Sequence, residues 1–204
     1  MTRVRIDSRA VEVPEGTTIL EAARGAGVGI PTLCHHEKLS HYGGCRICLV
    51  EVGREEAPER TRLMPACTTK AEQGMVVQTA TDRVMNSRRF VLQLLISRSP
   101  DVEKLQEVSR ALGASGEKGA LDIVGEYLLK RAPRTETTRC IRCSLCVRVC
   151  AEIVEAHAIS FEARGIKRKV TSPFRKISQT CIGCGACAYV CPAKTITIEE
   201  APTR

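Results

Sequence analysis

Cys140-Ile141-Arg142-Cys143-Ser144-Leu145-Cys146-Val147-Arg148-Val149-Cys150 and Cys181-Ile182-Gly183-Cys184-Gly185-Ala186-Cys187-Ala188-Tyr189-Val190-Cys191-Pro192 carry the reading of this chain. Both runs space their cysteines C-x2-C-x2-C-x3-C, and the second adds a proline. In this pattern three closely spaced thiolates wrap one face of a [4Fe–4S] cluster, and the fourth cysteine ligates the other cluster of a pair. The spacing therefore predicts one cluster on Cys140, Cys143, Cys146 and Cys191. It predicts a second on Cys181, Cys184, Cys187 and Cys150. Structural zinc also uses C-x2-C pairs, but it needs two separate pairs rather than four cysteines in one short run, twice over. A disulfide framework is the other alternative, and it belongs to exported chains. Met1-Thr2-Arg3-Val4-Arg5-Ile6-Asp7 has no apolar leader core, so a cytoplasmic setting with reduced thiols is expected.

The twelve cysteines are clustered, and the formal net charge is +8. That charge raises the question of nucleic acid. Three oxidised clusters would each bring about −2 through their thiolate ligands, which leaves a balance of about +2. Aromatic residues make up 3% of the chain and tryptophan is absent, which argues against a base-stacking surface. No nucleic-acid partner is expected. No run of about 18 apolar residues is present, so no direct membrane span is expected either.

From the N-terminus, Val4, Ile6, Val11 and Val13 alternate around Asp7-Ser8-Arg9 and predict a hairpin. Thr18-Ile19-Leu20-Glu21 fits a capping box opening a short helix, which should stop at Gly25, Gly27 and Gly29. Those glycines follow a helix rather than a strand, so they read as a helix stop and not as a phosphate loop. Cys34, Cys45, Cys48 and Cys67 come next, spaced C-x10-C-x2-C-x18-C, and suit a [2Fe–2S] cluster held in a loop. Gly43-Gly44 would let backbone N–H groups approach the sulfurs. Residues 49–52 and 75–79 read as strands, which closes a first domain at residues 1–80. His35, His36 and His41 lie in the same loop, but four cysteines already suffice as ligands, so they are read as outer-sphere or exposed residues.

The segments Ile30-Pro31-Thr32-Leu33-Cys34, Gly43-Gly44-Cys45-Arg46-Ile47-Cys48-Leu49-Val50-Glu51-Val52 and Pro65-Ala66-Cys67 resemble the N-terminal β-grasp [2Fe–2S] domain of the large iron–sulfur subunit of complex I. Similar domains occur in diaphorase subunits of NAD-linked hydrogenases, in [FeFe]-hydrogenases and in NAD-dependent formate dehydrogenases. The likeness resumes at Cys140 and runs to Cys187, covering about two-thirds of the chain. It departs in the middle. The family usually places a His and three Cys after the first helix, whereas no Cys or His occurs here between Thr68 and Arg139. The His-ligated cluster is therefore absent. Residues 84–96 read as a helix, and Val102, Leu105, Val108 and Leu112 mark another that stops at Gly113. A further helix is expected over residues 120–131. Together these form a helical connector, residues 81–135.

Residues 136–204 then form the second cluster domain, read as two related halves, each a loop, a helix and a strand. The strands would carry Ile159 and Phe161 in one half and Ile196 and Ile198 in the other. Residues 162–179 interrupt the first half, with a basic run at Ala163-Arg164-Gly165-Ile166-Lys167-Arg168-Lys169. The expected class is α+β: a β-grasp [2Fe–2S] ferredoxin domain, a helical connector and a bacterial-ferredoxin-like domain for two [4Fe–4S] clusters. No nucleophile–base pair and no strand–glycine turn–helix nucleotide unit stands out, so no catalytic residue is expected. The resemblance implies an electron-transfer subunit, non-catalytic alone, of a multi-subunit oxidoreductase. Its implied partners are a flavin- and NAD(P)-binding subunit of complex I-like type and a catalytic hydrogenase, formate dehydrogenase or other reductase subunit. Two other readings predict different things. A succinate dehydrogenase or fumarate reductase iron–sulfur subunit usually has a shorter first cysteine gap. A zinc-stabilised nucleic-acid module would be colourless and bind salt-sensitively.

Overall fold

The computed structural model describes residues 1–113 and 138–198. The helix expected over 120–131 lies outside them. The N-terminal half is built on a five-stranded mixed sheet of order β2-β1-β5-β3-β4. Its strands are β1 (Thr2–Ile6), β2 (Arg9–Val13), β3 (Leu49–Arg54), β4 (Ala57–Pro65) and β5 (Met75–Gln78). β1 and β2 form the expected hairpin, with Val4 opposite Val11. β5 runs parallel to β1 and antiparallel to β3, so it joins the two hairpins. β4 pairs with β3 along the sheet edge. No alternation of apolar residues announces β4, because none of its nine positions is fully buried and four are exposed.

Helix α1 (Ile19–Gly25) starts where the sequence places it. Thr18 Oγ1 accepts the Glu21 N–H at 3.2 Å, and the Glu21 carboxylate accepts the Thr18 N–H at 2.8 Å. The reciprocal bonds satisfy two of the donors that a helix start leaves free. Ile19, Leu20, Ala22 and Ala23 are buried against Val4, Ile6, Val50, Val52 and Val77 of the sheet.

A second core begins beyond the sheet. Helix α2 (Asp82–Arg98) and helix α3 (Glu103–Ala111) bury Leu92, Leu105, Val108 and Leu112. The same core takes in Leu33, Leu39 and Ile47 from the first cysteine loop, and Ile141, Leu145, Val149 and Ala193 from the C-terminal part. The connector helices thus share one apolar core with both cysteine-bearing regions. Helix α4 (Leu145–Glu152) carries Cys146 and Cys150, and helix α5 (Ala186–Tyr189) lies within the second cysteine run and carries Cys187. The two halves differ more than their sequences suggest. β6 (Ser160–Glu162) pairs with β7 (Lys169–Thr171), which comes from the interrupting segment. Residues 196–198 form no strand.

Candidate iron–sulfur sites

The first site lies at the junction of the two cores. Cys34, Cys45, Cys48 and Cys67 are all buried. Cys48 and Cys67 belong to the sheet core, whereas Cys34 and Cys45 belong to the core shared with α2, α3 and α4. Their sulfurs come together as two pairs. The Cys48 and Cys67 Sγ atoms are 3.4 Å apart, and the Cys45 N–H donates to Cys34 Sγ at 3.4 Å. Within each pair one thiol is favoured as the anion. The Cys45 thiol donates to Cys34 and draws it down to about 6, and Cys67 draws Cys48 down to about 7. Cys45 and Cys67 are pushed up by the same contacts and by burial. The loop turns sharply around them. Gly43 sits at φ +65, and a Cβ on Gly44 would lie 2.2 Å from the Tyr42 ring. Backbone N–H groups of Gly44 and Cys45 face the Cys34 sulfur. Two thiolate pairs lined by backbone donors fit a group with two irons, each needing two protein sulfurs. Among the described residues no three His, Cys, Asp or Glu side chains gather as a single-ion site.

Two buried arginines brace this loop from outside. Arg88 of α2 is 3% exposed, and its Nε and Nη2 donate to the Leu49 carbonyl at 2.9 and 2.6 Å. Burial lowers its pKa from the usual arginine value. Arg148 of α4 donates to the carbonyls of Cys34 and Ser40. Both side chains tie the ends of the 34–48 loop to helices that follow it in the chain.

The second site is a cavity of about 880 Å³. Cys140, Cys143 and Cys146 of the first run line it together with Cys191, the last cysteine of the second run. Burial pushes the thiols of Cys143 and Cys146 up to about 11 and about 12. Metal binding there must displace protons. Cys191 is held below its ordinary value. Burial opposes this, but hydrogen bonds from the Thr195 side chain and backbone, and from nearby backbone N–H groups, outweigh it. Soft sulfur donors from two distant segments, facing one space, fit a bound cluster.

The remaining cysteines lie further out. Cys150 is buried, and its sulfur accepts the Ala158 N–H at 3.2 Å. Cys187 is half-buried, and Cys181 and Cys184 are exposed. Burial raises the Cys187 thiol, and the charges of Cys184 and Cys150 add to this. Gly183 and Gly185 take left-handed conformations that turn the chain between these thiols. The histidines of the first loop stay outside the sulfur pairs. His35 and His41 stack with ring centres 5.9 Å apart, and His36 Nδ1 accepts the Lys38 N–H.

The comparisons agree with this layout. Residues 1–82 match the 2Fe-2S iron-sulfur cluster binding domain, and residues 139–195 match the 4Fe-4S dicluster domain. The chain thus carries both kinds of iron–sulfur domain, in that order. It is 31% identical to NADP-reducing hydrogenase subunit HndD of Solidesulfovibrio fructosivorans, over 98% of this chain and 36% of that protein. It is 32% identical to the mitochondrial NADH-ubiquinone oxidoreductase 78 kDa subunit of Candida albicans, over 79% of this chain and 24% of that protein. The NADPH-Fe(3+) oxidoreductase subunit alpha of Geobacter sulfurreducens is 31% identical, over 96% and 24%. The chain thus spans between 24% and 36% of the length of these relatives. Among solved structures, a chain of an NAD+-reducing [NiFe]-hydrogenase in the H2-reduced state shares the fold. Its TM-score is 0.70 at 24% identity, covering 97% of this chain and 84% of that one. The iron–sulfur class and the [2Fe–2S] and [4Fe–4S] domains expected from cysteine spacing are therefore borne out.

Sequence reasoning did not find Arg88, Arg148, Ser40 or Glu152. Ser40 N and Oγ donate to the Glu152 carboxylate at 2.7 and 2.6 Å, across 112 residues of chain. The one local signal was a lone arginine between Val147 and Val149 on a helix that is otherwise largely apolar.

Proposed function

We propose that the chain relays single electrons through one [2Fe–2S] and two [4Fe–4S] clusters. Cys34, Cys45, Cys48 and Cys67 hold the first. Cys140, Cys143, Cys146 and Cys191 hold the second, and Cys181, Cys184, Cys187 and Cys150 the third. Bound there, the clusters supply one-electron carriers of tuned potential. The chain's own residues bind through thiolates, present backbone N–H groups to sulfur, and keep water from the inner sites with the shared core. Residues 1–80, 81–135 and 136–204 act as cluster domain, connector and cluster domain.

The observation that carries this reading is the cavity that unites Cys191 with the first three cysteines of the other run. Such crossing of the fourth ligand is what a pair of linked clusters requires. It is tested by Cys191→Ser. That change should disturb the cluster of the first run while leaving the [2Fe–2S] signal intact, as read by EPR of reduced protein. Loss of the second run's cluster instead would reverse the ligand assignment.

The proposed partners are a flavin- and NAD(P)-binding subunit of complex I-like type and a catalytic hydrogenase, formate dehydrogenase or other reductase, in the cytoplasm. The kinship supports this, as does the outer site. Cys181 and Cys184 are exposed, and so are the apolar side chains of Phe174, Ile177, Ile182 and Tyr189 before and within the same run. Exposed apolar groups of this kind mark contact surfaces. No helix among the described residues is long and apolar enough to cross a membrane. Affinity purification of the native complex should recover a flavin subunit; recovery of a membrane quinone anchor would favour the succinate dehydrogenase-type reading.

A further inference from the structure

Arg148 is a buried cation whose two hydrogen bonds both leave its own part of the chain. It is 8% exposed, in α4 two residues from both Cys146 and Cys150, on the side of the helix away from them. Its Nη2 donates to the Cys34 carbonyl and its Nη1 to the Ser40 carbonyl. Its Nε is buried without a partner among the described residues. The guanidinium carbon lies 5.5 Å from the centre of the Tyr42 ring, and Tyr42 Oη accepts from Arg168 at 2.9 Å. Glu152, one turn along α4, is engaged by Ser40. Carbonyl oxygens carry no net charge, so they only partly offset the desolvation of a buried guanidinium. The anions close by are the Glu152 carboxylate, one turn along, and the Cys34 thiolate, both of which the Arg148 charge favours. Cys34 is itself the residue whose carbonyl is held, and Cys146 and Cys150 flank Arg148. Cys34, Cys45 and Cys143 also share one core.

We propose that Arg148 is the positioning residue of the step between the [2Fe–2S] site and the first [4Fe–4S] site. It fixes the spacing by clamping the Cys34–Ser40 segment to the helix that carries Cys146. Its charge favours the reduced, more negative state of the [2Fe–2S] site. The step is a one-electron exchange: one site is oxidised and the other reduced by one electron, and no bond is made or broken. Electron transfer between fixed sites depends on distance and driving force, and Arg148 acts on both. This assignment rests on the cluster reading above.

The test compares wild-type, Arg148→Gln and Arg148→Lys holoproteins, each checked for iron and sulfide, by EPR-monitored redox titration and by spin relaxation between clusters. Arg148→Gln removes the charge and should shift the [2Fe–2S] reduction equilibrium about tenfold toward the oxidised form, or ~59 mV for one electron. It should also weaken the magnetic coupling between the two sites. Arg148→Lys keeps the charge but not the planar two-point clamp. It should restore most of the equilibrium shift and leave the coupling weak. If Arg148→Gln does not load, Arg148→Lys decides alone through its coupling. Wild-type potential and coupling in the loaded variants would overturn the assignment and leave the cluster reading standing. A wild-type protein with no [2Fe–2S] signal would remove the cluster reading, and this assignment with it.

Discussion

Gly44 shows how little room the first cysteine loop leaves. A Cβ there would meet Tyr42 Cε1 at 2.2 Å, so Gly44→Ala must displace the ring that packs under Arg148. Overpacking of this kind costs about 1–3 kcal/mol. The expected result is loss of the [2Fe–2S] absorption and EPR signal while the [4Fe–4S] signals persist; unchanged loading would show that the loop can yield. Arg88 offers a second test at this scale. Arg88→Met removes both bonds to the half-buried Leu49 carbonyl, just beyond Cys48. The expected cost is about 1–3 kcal/mol, read as a lower thermal midpoint of the loaded protein. Neither arginine could be read as a clamp from sequence. Arg148 and Cys34 are 114 residues apart, and no local pattern records such a contact. The cysteines themselves were legible because ligand spacing is dictated by cluster size and is therefore local.

Elements were legible where their signals are short-range. The capping box at Thr18-Ile19-Leu20-Glu21 and the alternation of β1 and β2 depend on neighbours only, and both form as expected. Thr18→Ala should destabilise the N-terminal half by about 1 kcal/mol, measured by denaturant unfolding. An unchanged midpoint would mean that the bridge between Thr18 and Lys70 holds the helix start without the cap. β4 was missed for a physical reason. At the sheet edge none of its side chains is fully buried and Pro58, Glu59 and Arg60 are exposed, so no period-two apolar pattern marks it. A strand is expected at Ile196 and Ile198. β6 pairs instead with β7, within the interrupting segment, and residues 196–198 form no strand.

Across the whole molecule, the cysteine-bearing segments are joined by polar contacts as well as by the shared core. The Glu152 carboxylate, engaged by the Ser40 side chain and backbone, is held below the usual carboxylate value of 4.5. A carboxylate with a depressed folded pKa contributes stability that is full above its unfolded pKa and is lost as pH falls through the folded one. Ser40→Ala should therefore lower the thermal midpoint above pH 4.5 and lose that difference on acidification below it. The contact is exposed, so salt should shrink the effect. A difference that persists unchanged into acid would assign the contact's contribution to packing rather than to charge.

Three clusters on twelve cysteines fix the metal content of the chain. Iron, acid-labile sulfide and zinc, measured on anaerobically purified protein alongside EPR after dithionite reduction, test it most directly. Three loaded sites give about ten irons per chain, one [2Fe–2S] signal and two interacting [4Fe–4S] signals. A colourless protein with zinc in place of iron would contradict it.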